Sequence, residues 1–209
     1  MTPRVAALLA AGGGTRYRGS THKLLAPLHG RPVWEHAFNQ VMDAGFDHVI
    51  VVTGAAELSL TDGLAASHQQ GSPRTSASPH VDLRHNPNWH TGQASSVQLA
   101  VGIADELGAD TVTIGLADQP FVTSAAWQSV ASAPLECRIA IAVYDGTPGP
   151  NPVRLHRSIW PLLPTEGDEG ARNLLRVHPE WVCHVRCLGS VDTVADIDTP
   201  EDLHRWNNS

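Results

Sequence analysis

Runs of apolar residues alternate with amphipathic stretches along most of this chain. Residues 5–9, 48–53 and 111–116 are rich in Val, Ile and Leu. Short continuous apolar runs are typical of strands buried on both faces of a sheet. Residues 32–44 and 95–107 instead carry their apolar side chains at helical spacing. This alternation predicts an α/β fold with a doubly wound, mostly parallel sheet flanked by helices, in the Rossmann-like manner.

The remaining segments are less regular. Residues 57–67 are compatible with a helix, and residues 69–80, rich in Gly, Ser and Pro, predict a flexible surface loop. Residues 146–152 predict a turn for the same reason. Thr199, followed by a proline and acidic residues, predicts the capped start of a final helix.

Length and composition narrow the class of protein. The 209 residues favour one domain over residues 1–209. With 42% hydrophobic and 17% charged residues the chain is neither disordered nor membrane-embedded, and its net charge of −7 argues against a nucleic-acid partner. The N-terminal apolar run ends too early for a signal peptide. We therefore expect a cytoplasmic protein without membrane or nucleic-acid partners.

The three cysteines are Cys137, Cys183 and Cys187. They are too few for a disulfide framework and include no second pair that would complete a zinc site. We therefore expect buried free thiols.

A glycine-rich segment follows the first predicted strand. Backbone N–H groups in such a loop can bind an anion, Arg16 can contact phosphate oxygens in a bidentate way, and Lys23 is the only lysine of the chain. The spacing fits neither a Walker A loop nor a dinucleotide fingerprint, and glycines alone would fit an ordinary strand-to-helix turn. With Arg16 and Lys23 the loop is a candidate triphosphate site, and its other residues are Leu9, Ala10, Ala11, Gly12, Gly13 and Gly14.

Carboxylates follow the third predicted strand and precede the final helix. Asp118 stands where parallel strands end and ligands bind, and Mg²⁺ is usually held by one or two carboxylates with phosphate oxygens. Asp196 and Asp198 flank Ile197, so in an extended segment they share one face. Either could complete a metal site with Asp118. Turn formation and helix capping explain these acids as well.

Two polar segments are further candidates. Gly92, Ser95 and Ser96 could bind a base or ribose, although a polar loop with Ser95 or Ser96 as helix cap explains them equally. Asp168 and Arg172 could hold an anionic acceptor, or form a surface ion pair.

Together these segments resemble the molybdenum-cofactor nucleotidyltransferase family, within the glycosyltransferase-A-like fold also found in nucleotide-diphospho-sugar transferases. The resemblance runs in order over nearly the whole chain, and the first loop and the Asp118-Gln-Pro120 segment are its most specific pair. Its other segments are Pro27-Leu28 with Gly30, Asn86-Pro87, Gly92 with Ser95-Ser96, Pro152-Val153, Gly167-Asp168 with Gly170-Ala-Arg172, and residues 196–203.

The resemblance implies transfer of a nucleoside monophosphate to a phosphorylated acceptor. Leu9-Ala-Ala-Gly12 resembles the cytidylyltransferase branch, which implies CTP, Mg²⁺, a molybdopterin acceptor and a hydroxylase apoenzyme of the xanthine dehydrogenase type as partner. The implied roles are catalysis by Arg16, Lys23 and Asp118, metal binding by Asp118 and Asp198, and acceptor binding by Gln119, Pro152, Asp168 and Arg172.

The sequence also departs from the family pattern. The loop before Lys23 is longer than usual, Gln93-Ala94 replace a Met-Ser pair, and Asn151 precedes Pro152 where His is frequent. Two alternatives remain: a related transferase with another triphosphate or acceptor such as a sugar phosphate, and a non-catalytic protein that delivers a cofactor.

Overall fold

A computed structural model describes residues 2–19, 21–60 and 78–208. The strands are β1 (Val5–Ala10), β2 (Pro27–Leu28), β3 (Arg31–Pro32), β4 (His48–Thr53), β5 (His80–His85), β6 (Thr111–Leu116), β7 (Ile139–Tyr144), β8 (Thr147–His156) and β9 (Val182–Arg186). The α-helices are α1 (Val33–Met42), α2 (Gln93–Glu106), α3 (Ser124–Ala131), α4 (Arg172–Val177) and α5 (Pro200–Asn207). Short 3₁₀ turns connect several of them.

The main sheet has seven strands in the order β5-β4-β1-β6-β8-β7-β9. Strands β5, β4, β1 and β6 are mutually parallel, β8 is antiparallel to both β6 and β7, and β9 is parallel to β7. From β1 the chain moves to β4 and β5 on one side and then crosses to β6 on the other. The predicted doubly wound, mostly parallel sheet is confirmed, and its switch point lies between the carboxyl ends of β1 and β6.

Both faces of the sheet are covered by helices. Ala6 and Leu8 of β1 point into a core shared with α1 and α3. Ala7 and Leu9 point into a second core shared with α2 and α4. This alternation follows from the two-residue period of a strand, and it explains why β1 is apolar at every position.

A smaller apolar cluster joins the two ends of the chain. Leu28 of β2 and Val33 of α1 pack with Ile197 and with Leu203 of α5, and Tyr17 packs against this cluster. Helix α5 thereby holds residues 196–198 beside the loop that follows β1.

The segment 146–152, predicted as a turn, is largely strand. Asp145 and Gly146 have φ angles of 49° and 78° and form the tight turn of the β7–β8 hairpin. The pairing partners Tyr144 and Thr147 flank that turn directly. The glycines and prolines suggested irregular backbone, whereas the Asp-Gly pair was the informative signal.

Other predicted boundaries change as well. Helix α2 begins at Gln93 with Gly92 as its cap residue and no side-chain cap, so Ser95 and Ser96 are not the caps. Of the helix predicted over residues 57–67, residues 57–60 are not helical and the rest lies outside the described residues. The predicted loop over 69–80 also lies outside them up to residue 77, and His80 already belongs to β5.

The cysteines depart from the expected free thiols. Cys183 of β9 forms a disulfide with Cys137, just before β7, and Cys187 is free. The strand pairing of β7 with β9 brings together two residues 46 positions apart, which spacing along the chain does not show. Among the described residues, none of the helices combines the length and apolar character needed to cross a bilayer.

Candidate active site

A cleft of about 590 Å³ opens at the switch point of the sheet. Leu9 to Gly14 form one wall as the chain leaves β1, and Leu116 and Asp118 contribute from the end of β6. The hydrogen bonding between the two strands continues one residue past the end of β6, because the Ala117 N–H donates to the Leu9 carbonyl at 2.9 Å. The two segments predicted to share a ligand therefore face the same space.

Lys23 lies at the centre of a cluster of charges in this cleft. Its Nζ is 2.6 Å from Asp118 Oδ2 and 2.9 Å from Asp198 Oδ1. Arg16 pairs with the other oxygen of Asp198 at 2.8 Å. The Lys23 side chain is only 10% exposed, whereas that of Arg16 is 76% exposed. The structure thus brings together all four residues predicted for triphosphate and metal.

Burial and charge act in opposite directions on the Lys23 ammonium. Burial lowers its pKa, but the charges and hydrogen bonds of Asp118 and Asp198 together raise that pKa above its usual value. Lys23 is therefore positively charged at neutral pH. A buried cation is tolerated here because two carboxylates compensate it.

Asp118 and Asp198, the acid pair that contacts Lys23, fit a divalent cation. Asp118 Oδ1 is buried and finds no hydrogen-bond donor among the described residues. Within the same part of the chain, no three His, Cys, Asp or Glu side chains are arranged to hold a metal ion. The carboxylates of Asp118 and Asp198, the first with its unpaired oxygen, match Mg²⁺. This ion usually takes one or two protein carboxylates and completes its octahedron with phosphate oxygens and water.

The segment 196–198 alternates between core and cleft. Ile197 is fully buried and its N–H donates to the Asp118 carbonyl at 3.0 Å, while Asp196 and Asp198 line the cleft on either side of it. The predicted shared face of the two acids is confirmed. The Asp202 carboxylate accepts from the Asp198 and Thr199 N–H groups at 3.2 and 2.9 Å, as part of the capping box of α5. Helix capping therefore also positions Asp198.

Asp196 is a third carboxylate of the cleft. Gln119 Nε2 donates to its Oδ1 at 2.8 Å, and Asn151 Nδ2 donates to Gln119 Oε1 at 3.0 Å. Asp196 lies at the cleft surface, but the surrounding protein partly desolvates its carboxylate. This desolvation and the negative charges of Asp118 and Asp198 raise its pKa, opposed by the hydrogen bond from Gln119. Asn151, which departs from the family pattern, thus belongs to a hydrogen-bonded chain that ends on a cleft carboxylate.

His22 connects the glycine loop to Lys23. Its Nδ1 accepts from the Leu24 N–H at 3.3 Å, so the ring proton is assigned to Nε2, which lies 3.0 Å from the Gly12 carbonyl. Burial, opposed by the hydrogen bond to Gly12, lowers the pKa of His22 and favours this neutral form. Gly14 has a φ of 59°, a conformation that favours glycine. The His22 side chain therefore ties the start of the glycine loop to the segment that contains Lys23.

Trp89 is a cleft residue that the sequence analysis did not identify. A Cβ at Gly13 would lie 3.0 Å from the Trp89 ring, and one at Gly54 would lie 2.7 Å from the Trp89 Cβ. The two glycines therefore let the indole approach the loop backbone. His90 lies beside the ring, edge-on at 6.2 Å. An aromatic residue inside an otherwise polar loop was the available signal.

The segment with Asp168 closes the other end of the cleft. Asp168 Oδ1 accepts from the Gln93 N–H at 3.2 Å, and the Gly167 carbonyl accepts from the Ala94 N–H at 2.9 Å. The negative carboxylate thus meets the positive end of helix α2. Gly92 has a φ of 112°, and a Cβ there would lie 2.5 Å from the Gly167 backbone. Glycine is needed at this contact.

Most of the predicted site residues line this one cleft. These are Leu9, Ala10, Ala11, Gly12, Gly13, Gly14, Arg16, Lys23, Gly92, Ser96, Asp118, Asp168, Arg172 and Asp198. Ser95 hydrogen-bonds to Asn86, and Gln119 is only 1% exposed. Pro152 is buried in β8. None of these three residues is among those that line the cleft, so their proposed ligand contacts remain predictions.

Comparisons with known proteins agree with this geometry. A family model described as the MobA-like NTP transferase domain matches residues 6–182. The purine catabolism protein PucB of Bacillus subtilis (strain 168) is 30% identical over 206 residues, which cover 96% of this chain and 95% of PucB. The nicotine blue oxidoreductase of Paenarthrobacter nicotinovorans is 29% identical over 211 residues, covering 95% of this chain and 93% of that protein.

Solved structures share the fold. The crystal structure of Rv0371c from Mycobacterium tuberculosis H37Rv superposes with a TM-score of 0.74 at 24% identity, covering 100% of this chain and 98% of that one. A structure of the same protein in complex with manganese gives a TM-score of 0.71 at 22% identity, with 100% of both chains covered. The family match over most of the chain and the PucB similarity over nearly all of it decide the assignment. The chain belongs to the MobA-like NTP transferase family and is a nucleotidyltransferase.

Proposed function

We propose that this nucleotidyltransferase transfers CMP from CTP to the terminal phosphate of a molybdopterin-type cofactor, with Mg²⁺ as its metal. The observation that carries the proposal is the meeting of Lys23 with Asp118 and Asp198, at 2.6 and 2.9 Å, inside the cleft bordered by the glycine loop. A triphosphate and its metal need this combination of cations, carboxylates and backbone N–H groups in one place.

The chain's residues would act mainly by positioning and by charge. In the proposed reaction an oxygen of the acceptor phosphate attacks the α-phosphorus, and the bond to the bridging oxygen of the β-phosphate breaks to release pyrophosphate. Arg16 and Lys23 would bind the triphosphate and neutralise charge on the leaving group. Asp118 and Asp198 would hold Mg²⁺, which supplies electrostatic stabilisation of the same charge. The acceptor phosphate is already a nucleophile, so no strong general base is required.

The choice of CTP depends on the resemblance of Leu9-Ala-Ala-Gly12 to the cytidylyltransferase branch. A thermal-shift panel of CTP, GTP, ATP and UTP with Mg²⁺ tests it, because a ligand that binds only the native state stabilises that state by about 2.7 kcal/mol at a hundred times its Kd. CTP should give the largest rise in melting temperature. A larger rise with another triphosphate would reject the branch assignment and leave the transferase class standing.

The acceptor is proposed to bind toward Asp168 and Arg172. Both line the cleft, and Arg172 offers a cation to a terminal phosphate. Gln119 and Pro152 are proposed to contribute to the same acceptor site, although they do not line the cleft. A sugar phosphate is the alternative acceptor, and a molybdenum hydroxylase apoenzyme is the proposed recipient of the product. A protein that only delivered a cofactor would have no need for the metal-binding acids.

Pyrophosphate release tests the proposed reaction. CTP and Mg²⁺ should give pyrophosphate only when molybdopterin is added, and a panel of sugar phosphates serves as the comparison. Release with a sugar phosphate but not with molybdopterin would reassign the acceptor. Absence of release with every acceptor, despite CTP binding, would favour the delivery protein.

A further inference from the structure

The Asp198 carboxylate is fully engaged by the two cations assigned to the triphosphate. Lys23 Nζ contacts Oδ1 at 2.9 Å, and an Arg16 guanidinium nitrogen contacts Oδ2 at 2.8 Å. Lys23 also contacts Asp118 Oδ2 at 2.6 Å. Of the four oxygens of the acid pair, only Asp118 Oδ1 is without such a contact among the described residues.

A metal ion and the Lys23 ammonium compete for the same oxygens. Mg²⁺ binds carboxylate oxygen at about 2.0–2.1 Å, so an ion on Asp118 and Asp198 would come close to Nζ in its present position. Two cations at such short range repel strongly, and the Lys23 side chain is only 10% exposed, so solvent screens the repulsion little. Metal binding to both acids therefore requires Lys23 to move, and Arg16 to give up one oxygen.

A triphosphate supplies the alternative partner for both cations. Its oxygens suit the planar guanidinium of Arg16 and the compact charge of Lys23. Arg16 is 76% exposed and Lys23 has a flexible four-carbon stem, so both cations can leave the carboxylates by side-chain rotation. The metal, in turn, needs oxygen ligands beyond two carboxylates, which the phosphates provide.

Resting on the proposed function, we propose that Arg16 and Lys23 gate metal binding. They occupy Asp198 and Asp118 until a triphosphate draws them away, and the freed carboxylates then bind the metal. Metal alone then binds weakly. Triphosphate and metal each raise the affinity of the protein for the other, by more than the chelation of the metal by the triphosphate accounts for. Such coupling is typically 5- to 150-fold.

Titration with Mn²⁺ in the absence of nucleotide tests the gate, with free Mn²⁺ measured by electron paramagnetic resonance. Lys23→Met, which keeps most of the stem and removes the charge, should bind Mn²⁺ about ten-fold more tightly than wild type. Arg16→Ala should bind it about three-fold more tightly. Arg18→Ala removes an exposed charge from the same loop and should change the affinity less than two-fold, roughly the size of a screened long-range effect.

Equal or weaker Mn²⁺ binding by Lys23→Met would overturn the gate. If that variant does not fold, Arg16→Ala decides, because its side chain is exposed: an affinity no higher than that of Arg18→Ala overturns the proposal.

A second titration reverses the roles of the ligands. In EDTA, Asp198→Asn frees Arg16 and removes one of the two carboxylate partners of Lys23, and it should bind CTP about five-fold more tightly than wild type. In a separate titration without EDTA, its Mn²⁺ affinity should fall about ten-fold. Asp196→Asn removes a cleft carboxylate that forms no ion pair with either cation among the described residues, and should give a smaller gain for CTP. Equal gains from the two variants would overturn the gate.

Failure of the gate and failure of the proposed function give different results. Wild type that binds no triphosphate even with metal contradicts the proposed function. Wild type that binds CTP with Mg²⁺, but whose Lys23→Met variant shows no gain for Mn²⁺, contradicts only the gate.

Discussion

At the scale of single residues, the site depends on how one buried charge is balanced. Lys23 is the only lysine of the chain, and it is buried with its ammonium in contact with the carboxylates of Asp118 and Asp198. Lysine offers a compact point charge with three donors, whereas arginine offers a planar fork. Lysine therefore suits the exchange of carboxylate for phosphate oxygens that we propose for this position.

Replacement of Lys23 by alanine should lower turnover by on the order of 10²-fold or more, because the charge that stabilises the leaving pyrophosphate is lost. Steady-state kinetics with CTP, Mg²⁺ and acceptor measure it, and Arg18→Ala should retain the wild-type rate. Unchanged turnover in Lys23→Ala would reject its assigned role.

Some site residues are predictable from sequence and others are not. Arg16 and Lys23 lie in the glycine-rich segment after β1, and Asp118 closely follows β6, so motif and spacing predict these three residues. Trp89 approaches Gly13 through a tertiary contact between segments that are distant in sequence. The choice between Asp196 and Asp198 likewise depends on which side chain reaches Lys23, and that is a tertiary contact.

At the scale of elements, α5 connects helix capping with the proposed metal site. The Thr199 Oγ1 accepts from the Asp202 N–H at 3.1 Å, and Asp202 in turn fixes the backbone of Asp198. Thr123 caps α3 in the same way, through the Ala126 N–H at 3.2 Å. The two threonines form a matched pair of caps: Thr199 directly follows Asp198, whereas Thr123 makes its cap contact to Ala126 of α3 and forms no hydrogen bond to the backbone of either acid among the described residues.

Thr199→Ala and Thr123→Ala should each destabilise the protein by about 1 kcal/mol, the usual cost of a lost cap. Only Thr199→Ala should also weaken Mn²⁺ binding in the presence of CTP, because it loosens the backbone of Asp198. Denaturant unfolding and Mn²⁺ titration measure the two effects. An identical Mn²⁺ affinity in both variants would separate the cap from the metal site.

Strand β6 shows how packing across layers constrains a glycine. A Cβ at Gly115 would lie 2.4 Å from the buried Trp127 ring of α3, whereas one at Gly102 of α2 would meet nothing within 4 Å. Gly115→Ala should therefore lower the free energy of unfolding by about 1–3 kcal/mol through overpacking. Gly102→Ala should raise it by up to about 1 kcal/mol through helix propensity. Chemical denaturation of both variants tests this, and a stable Gly115→Ala would contradict the packing.

Element prediction succeeded where the apolar run was continuous. The strands over residues 48–53 and 111–116 match β4 and β6 at both ends, because buried strands are apolar throughout. It failed for the first part of β8, where the Gly and Pro of residues 146–152 were interpreted as a turn although β8 lies between β6 and β7 in the sheet. It also missed the start of α2, because Gly92 takes its conformation from contact with Gly167, which is distant in sequence.

At the scale of the whole molecule, the strand order explains why residues far apart in sequence form one site. The chain crosses from one side of β1 to the other, which places the ends of β1 and β6 side by side. Residues 196–198, just before α5, lie at the same edge of the sheet. The doubly wound class was predictable from the alternation of strands and helices. The disulfide between Cys137 and Cys183 was not, since it depends on β7 pairing with β9.

The most direct test of the central claim follows the phosphorus atoms of CTP. Incubation of the protein with Mg²⁺, molybdopterin and CTP labelled at either the α- or the γ-phosphate should transfer the α-label to the cofactor and release the γ-label as pyrophosphate. Asp118→Asn should abolish both. Release of the γ-label as orthophosphate, or an α-label that stays with free nucleotide, would contradict nucleotidyl transfer in this cleft.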